Sequence, residues 1–412
     1  MSKVKLSEIG TFKNGLNFSA RRVLSGCKMI GVPDFGDNYL AKLDRLKEVD
    51  EDIVSTDYLL QDNDILFVRS NGNKNLVGRA MLIEKIKEKV TFSGFCIRFR
   101  ITNNNVNPLY MLYLFKSPLF RKLFSNTQQT SISNLNQEIL GNIEVELPAI
   151  GQQNRIVKVI HGITRKIENN KRINDNLEQQ AKLIYDYWFT QFDFPDENGK
   201  PYCSSGGKMV WNEQLKRNIP ENWKVAQLKD IFNVSGKPIS RDDCQTDAYY
   251  TPIDVIPKRT ITFAGGLSAA EANSSLQLYE ENNILLGAMR VYFHRVCISA
   301  QSGITRTTTL VLKPKADEYL GYAYQVLNDD NAILYATQHS SGTQQPYIKW
   351  NDVLENYRFT MPSNPKLLYE YSKISEPLIT KAKNCARETE QLRKLRDWLL
   401  PMLMNGQATI SD

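Results

Sequence analysis

Two polar runs hold much of the side-chain chemistry this sequence offers. Gln128-Gln129-Thr130-Ser131 lies in the first half of the 412-residue chain, and Ser340-Ser341-Gly342-Thr343-Gln344-Gln345 lies in the second. Amides and hydroxyls donate and accept hydrogen bonds at once, which matches the edges of bases in a nucleic-acid groove. Further polar and basic residues accompany each run: Arg69, Ser70, Asn71, Asn73, Lys74 and Arg79 in the first half, and Arg290, Tyr292, His294, Arg295 and Arg306 in the second. With Ser340, Ser341, Thr343, Gln344 and Gln345 they form the candidate DNA-contacting set. A solvated turn would carry the same residue types, so the elements that position them have to decide.

Catalytic patterns are missing. The chain has no G-x-x-x-x-G-K-[ST] phosphate loop, no G-x-G-x-x-G opening a helix, no HExxH, and no Asn-Pro-Pro-aromatic run. The six cysteines are scattered at positions 27, 96, 203, 244, 297 and 385, and the histidines are His161, His294 and His339. That spacing assembles no zinc site. No catalytic residue, metal or cofactor is therefore assigned to this chain. Net charge is +7, modest for a polyanion binder. Residues 1–150 carry 20 basic against 16 acidic residues, whereas residues 225–362 carry 12 against 14. The second segment would approach nucleic acid without a strong field of its own, and a basic partner would be needed. No signal-peptide core follows the first residues and no apolar run is long enough for a bilayer, so a soluble cytoplasmic protein is expected.

The candidate loops sit inside an internal repeat. NLNQEILGNIEVELP (residues 134–148) and IKWNDVLENYRFTMP (residues 348–362) share an acid–aliphatic–Leu step, then Asn, then alternating apolar residues into Pro, all at one offset. Leu6-Ser7-Glu8-Ile9 pairs with Leu228-Lys229-Asp230-Ile231, and Asp64-Ile65-Leu66 with Asn283-Ile284-Leu285, in the same order. Short apolar runs rich in β-branched and aromatic residues predict strands at 65–69, 96–101 and 143–147 in the first copy, and at 284–286, 296–299 and 307–312 in the second. Helices are expected at 108–124 and 318–328, with a turn at Asn71-Gly72.

A long helical pattern follows each copy. Ile156, Ile160, Ile163, Ile167, Asn170, Asn174, Leu177, Ala181, Ile184 and Trp188 are spaced alternately four and three apart, a heptad seam. Tyr371, Ile374, Leu378, Lys381, Cys385, Glu388, Leu392, Leu395, Leu399 and Met402 repeat the pattern. Ser375 and Pro377 read as the N-cap and first turn of that second helix. Each stripe needs a partner, and the simplest is the other helix packed antiparallel. The expected fold class is α+β: two similar mixed α/β domains in tandem, separated by two long antiparallel helices forming a coiled-coil spacer. The expected boundaries are 1–150, first domain; 151–190, first spacer helix; 191–224, linker; 225–364, second domain; 365–412, second spacer helix and tail. The linker is rich in Pro, Gly and Ser, but Phe192, Phe194, Tyr202, Trp211 and Trp223 predict that it packs. Two such domains on a rigid rod would touch DNA about 34–36 Å apart, one duplex turn, if both face one side.

Three stretches then resemble a known family. LPAIGQQNRI (147–156), FDFPDENGKPY (192–202) with GGKMVWNEQLKRNIPENW (206–223), and LRDWLLPMLMNG (395–406) make the chain similar, over essentially its whole length, to the specificity subunits of type I restriction–modification systems. Gly151-Gln152 stands where an acidic residue before Gln is commoner in that family, and Pro362-Ser363-Asn364-Pro365 replaces a Gln-containing turn. The resemblance implies a non-catalytic DNA-binding subunit of a bacterial defence complex, with two target-recognition domains that each read half of a bipartite, asymmetric site. It also implies partners: double-stranded DNA, two methyltransferase subunits and restriction subunits, with S-adenosylmethionine, ATP and Mg on those partners only. Two other readings remain open. A coiled-coil scaffold would lack sequence-dependent DNA contact, and an enzyme acting on nucleic acid would turn over by itself.

Overall fold

The run Ile65-Leu66-Phe67-Val68 is apolar at every position because the strand Ile65–Val68 is covered on both faces. Ile65 and Phe67 point into one core with Ile97, Phe99 and Met111, while Leu66 and Val68 point into another with Ile30 and Phe92. Successive side chains on a strand face opposite ways, so a doubly covered strand reads as a continuous apolar run. Ile284-Leu285-Leu286 repeats the device: Ile284 and Leu286 enter one core, Leu285 another. The computed structural model describes residues 2–17, 26–36, 39–71, 76–118, 120, 135–273 and 275–410. It comprises two units, Met1–Thr164 with Lys394–Asp412, and Arg165–Arg393.

In the first unit the central strand belongs to an antiparallel sheet ordered Gly10–Asn14, Cys96–Ile101, Ile65–Val68, Ala80–Leu82. A second sheet is ordered Lys47–Asp50, Gly26–Ile30, Val90–Phe92, its last pair parallel. Ser2–Lys5 pairs antiparallel with Glu144–Leu147, so the first and last strands of the copy close on each other. The helix Pro108–Lys116 starts at Asn107, whose side chain accepts from the amides of Leu109 and Tyr110, and Pro108 fits the first helical turn, where no N–H is needed.

The second unit has the same plan. Its central sheet is ordered Phe232–Val234, Thr309–Pro314, Ile284–Gly287, Val296–Ser299, Thr262–Phe263. A second sheet runs Lys237–Ile239, Leu276–Tyr279, Gly303–Arg306, Tyr249–Tyr250, Leu267–Ser268, with one parallel pair. Trp223–Gln227 pairs with Arg358–Pro362 as Ser2–Lys5 does with Glu144–Leu147. A short helix follows the opening strand in both, Leu6–Ile9 and Leu228–Ile231. The repeat read from sequence is thus a repeat of topology. Among the expected strands, Cys96–Ile101 and Val296–Ser299 form over the residues anticipated. The expected helix at 108–124 is seen as Pro108–Lys116, and positions 121–124 lie outside the described residues, as does Gly72 of the expected turn.

The two long helices are Ile150–Tyr185 and Pro365–Met404, about 54 and 60 Å at ~1.5 Å per residue. Within the second unit they run antiparallel. Lys166 Nζ pairs with Glu388 Oε1 at 2.6 Å, Asn170 Nδ2 donates to Glu388 Oε2 at 2.8 Å, and the ring of Trp188 lies 5.8 Å from that of Tyr371. Within the first unit Ile156 and Ile160 share a core with Leu400, Leu403 and Met404. Of the expected seam, Ile156, Ile160, Ile167, Asn170, Trp188 and Cys385 are buried, and Ile163, Asn174, Leu177, Ile184, Leu378, Leu392 and Leu399 are half-buried. Both Lys166 and Asn170 hold the Glu388 carboxyl below the usual range, so the buried Asn is satisfied by charge.

Two expectations about the C-terminal helix are corrected. It starts at Pro365, after Asn364, whose Oδ1 accepts from the amide of Lys366 at 2.9 Å; Ser375 and Pro377 are interior. Ile374 and Leu395 are exposed at 38% and 42%. The buried face instead runs through Leu368, Tyr371, Ser372, Ser375, Ile379, Ala382 and Lys383. This face packs on the globular part of the second unit. A Cβ on Gly321 would stand 2.4 Å from Ser375 Oγ, and Lys383 Nζ reaches Glu281 Oε1 at 2.6 Å and Asn282 Oδ1 at 2.7 Å. A heptad count of apolar residues misses a face made of Ser, Ala and Lys.

The linker packs as expected. Phe194 stacks between Tyr202 and Trp223 with centroids 4.8 and 5.3 Å away, and Met209–Asn212 forms a hairpin with Arg217–Pro220.

Candidate nucleic-acid interface

In the second unit several candidate residues gather at the end of the strand Ile284–Gly287. The Ala288 amide donates to Thr308 O at 3.0 Å, and the Ile348 amide donates to Ala288 O at 3.0 Å. Two residues on, the Arg290 amide donates to Pro346 O at 2.7 Å, and Arg290 Nη2 donates to Gln344 O at 3.3 Å. The loop 341–347 closes on itself through reciprocal Ser341–Tyr347 backbone bonds of 3.0 and 2.9 Å, with Gly342 at φ 98°, a conformation glycine adopts at no steric cost. Ser341, Thr343, Gln344 and Gln345 are exposed on that loop. Ser340 is half-buried, its hydroxyl spent on Ala336 O at 2.7 Å. Arg306 is exposed at the end of Gly303–Arg306, two residues before Thr308.

Between Arg290 and His294 the chain makes one tight turn, Val291–Phe293. Both flanking residues are left-handed, φ 52° and 54°, which costs on the order of 1–3 kcal/mol each for side-chain-bearing residues. The turn leaves Tyr292 50% and Phe293 38% exposed, their rings 4.9 Å apart, with Lys258 Nζ 4.4 Å over the Phe293 ring.

The structure puts two candidates to other uses. His294 is buried, Nε2 lying 2.8 Å from Asn328 Oδ1, and burial lowers its pKa. The Arg295 guanidinium bonds the carbonyl oxygens of Asp254, at 3.0 Å, and Ile256. Both residues hold the turn and the neighbouring loop in place and offer little to a ligand.

The first unit repeats this frame. The Val68 amide donates to Arg79 O at 2.9 Å as that of Gly287 does to Arg295 O. The Arg69 amide donates to Phe95 O at 2.7 Å, and the Leu135 amide to Arg69 O at 2.8 Å, matching Ala288–Thr308 and Ile348–Ala288. Arg69, Ser70, Asn71 and Arg79 are half-buried around this point. Asn73, Lys74, Gln128, Gln129, Thr130 and Ser131 lie outside the described residues. The frame still shows why runs 128–131 and 340–345 precede the repeated motif: each connects to the strand end through the first residues of that motif. Sequence reasoning passed over Phe95 and Phe293. Phe95, 57% exposed, tops the turn between Val90–Phe92 and Cys96–Ile101, and the available signal was an aromatic directly after Ser93-Gly94.

One carboxyl on the first long helix faces the second unit's sheet. Glu178 accepts the Ile261 amide, and the Tyr324 hydroxyl donates to it at 3.4 Å. Burial pushes it from 4.5 up to about 7. The folded protein therefore binds more protons than the unfolded chain between these values, and stability falls as pH rises through the window. The full loss is at most about 3 kcal/mol. Urea unfolding across this range should show a decline in the native protein that Glu178→Gln flattens; an unchanged slope in the variant would refute the assignment.

Among the described residues no group of three or more His, Cys, Asp or Glu is placed to hold a metal ion, and no helix is long and apolar enough to cross a membrane.

Residues 1–179 match the family model of the type I restriction modification DNA specificity domain. Similar curated proteins include the MjaIX type I restriction enzyme specificity subunit of Methanocaldococcus jannaschii, 25% identical over 337 residues, covering 78% of this chain and 73% of that one. Over most of its length the chain is similar to type I restriction enzyme specificity subunits. A further similar protein, the HindI specificity subunit of Haemophilus influenzae, is 18% identical over 370 residues, covering 75% of this chain and 80% of its own. In fold the chain is similar to the type I restriction–modification S subunit from M. genitalium, with a TM-score of 0.57 at 14% identity, covering 100% of this chain and 96% of that one.

Proposed function

We propose that this chain is the sequence-specific DNA-binding subunit of a type I restriction–modification complex. It reads a bipartite, asymmetric site through its two α/β copies and directs methyltransferase and restriction subunits to that site in the cytoplasm. The observation that carries this reading is the duplicated frame. Two copies share the order of their central antiparallel strands and the backbone bonds at the strand end, yet their polar runs differ in sequence, as two readers of unlike half-sites require. Base edges would be met by Arg290, Arg306, Gln344 and Gln345 in one copy and by the Arg69 region in the other. The chain itself performs no catalysis in this reading, and S-adenosylmethionine, ATP and Mg serve the partner subunits. The long helices offer surface to the methyltransferase subunits.

Mapping methylated adenines in a host carrying this chain with its methyltransferase subunits should reveal one split motif that disappears without the chain. One heptad inserted into each helix adds about 10 Å, or about three base pairs of unread gap, with both half-sites unchanged. Methylation that is identical without the chain, or half-sites altered by the insertion, would contradict the proposal.

A further inference from the structure

The turn Val291–Phe293 is built to hold an aromatic ring out in solvent. Three anchors fix it: the Arg290 amide on Pro346 O at 2.7 Å, the Arg259 amide on His294 O at 3.1 Å, and the His294 ring on Asn328. Two side-chain-bearing residues in left-handed backbone persist only where the surroundings over-determine them. Turning such a segment outward with Tyr292 half exposed gains little for folding, since the exposed half of the ring contributes no burial. The surroundings suit a nucleic acid. Lys258 sits over the neighbouring ring, Arg290 Nε is buried without a partner, and the exposed Gln344 of the amide loop is tied to the same Arg290. The first unit also sets an exposed aromatic, Phe95, against the arginine that follows its central strand.

We infer that Tyr292 is a base-stacking residue, its ring laid against a nucleobase of the half-site that the second unit reads. This rests on the DNA-reading assignment above and adds a mode of contact to it. A rigid, preorganised ring loses little conformational freedom on binding, and stacking accepts any base, so Tyr292 supplies affinity and a local distortion while the amides discriminate.

The test uses the full chain assembled with its methyltransferase subunits, and duplexes bearing the mapped site with 5-iodopyrimidines substituted one position at a time. Irradiation should crosslink Tyr292 at one position of a single half-site, as identified by peptide mapping. Tyr292→Ala should lose the crosslink and weaken binding roughly 5- to 150-fold. Tyr292→Phe should keep both, whereas Tyr292→Leu, apolar but without a π face, should not restore affinity. No crosslink at Tyr292, affinity within about twofold of native in Tyr292→Ala, or rescue by Leu overturns the inference while leaving the DNA-reading assignment standing. A native complex that binds no specific duplex takes both down.

Discussion

If the proposed function holds, exchanging residues 1–146 for the corresponding segment of a type I restriction enzyme specificity subunit changes one half of the methylated motif completely and leaves the other half as it was. The reason lies in how the first copy closes. Its opening and final strands pair along their lengths, Ser2 opposite Leu147 and Lys5 opposite Glu144. Its central strand is sandwiched between two cores of its own, one around Phe67 and Phe99 and one around Leu66 and Phe92. A cut at this point severs the chain at the last pair of the closing strand, three residues before the first long helix at Ile150, and retains everything that shapes the second unit's loops. Adenine methylation mapping in the host reads the outcome. Simultaneous change in both half-sites would mean that recognition is shared between the copies, and independent readers would have to be abandoned.

A second large effect is expected at Asp64. This carboxylate is 1% exposed, and both its oxygens are used. Arg100 Nε donates to Oδ1 and Arg100 Nη2 to Oδ2, each at 2.7 Å, and the Gln61 amide donates to Oδ2 at 2.7 Å. Hydrogen bonding to Asp64 raises the Arg100 pKa against the opposing effect of burial. Asp64→Ala leaves a largely buried guanidinium and a turn amide without their acceptor, a loss of about 3–5 kcal/mol, readable as a fall in the urea midpoint. The second copy supplies the control. There Asn283 takes the same place and its Oδ1 accepts from the Glu280 amide at 2.7 Å, again three residues back. Asp64→Asn should therefore keep the turn and lose less than the Ala variant. Pairing Asp64→Ala with Arg100→Met should recover part of the loss, because the stranded charge is gone. Equal destabilisation by Ala and Asn would show that the turn bond adds nothing beyond the ion pair.

These contrasting partners at one position show which parts of the fold were legible in advance. Asp64-Ile65-Leu66 and Asn283-Ile284-Leu285 matched in sequence because the turn and the doubly covered strand impose the same local demands twice: a capping oxygen three residues after the amide, then apolar side chains on both faces. The helical seam was visible at Ile156, Ile160 and Trp188 for the same reason, since burial along one face recurs at fixed spacing. On the C-terminal helix the pattern failed at Ile374 and Leu395. That helix buries Ser375, Ala382 and Lys383 against the second unit, and a small or ion-paired side chain carries no hydrophobic signal.

The amino-acid sequence by itself determined the duplication, the two long helices and the resemblance to specificity subunits, because each is written in local periodicity or in contiguous motifs. Where each candidate side chain ends up was decided only by tertiary structure. Arg290 and His294 stand four residues apart and have similar polarity, yet one lies beside the amide loop and the other is buried on Asn328. That difference comes from Gln344 on one side and from Asn328, at the end of the helix Leu320–Asn328, on the other, and neither contact is local in sequence.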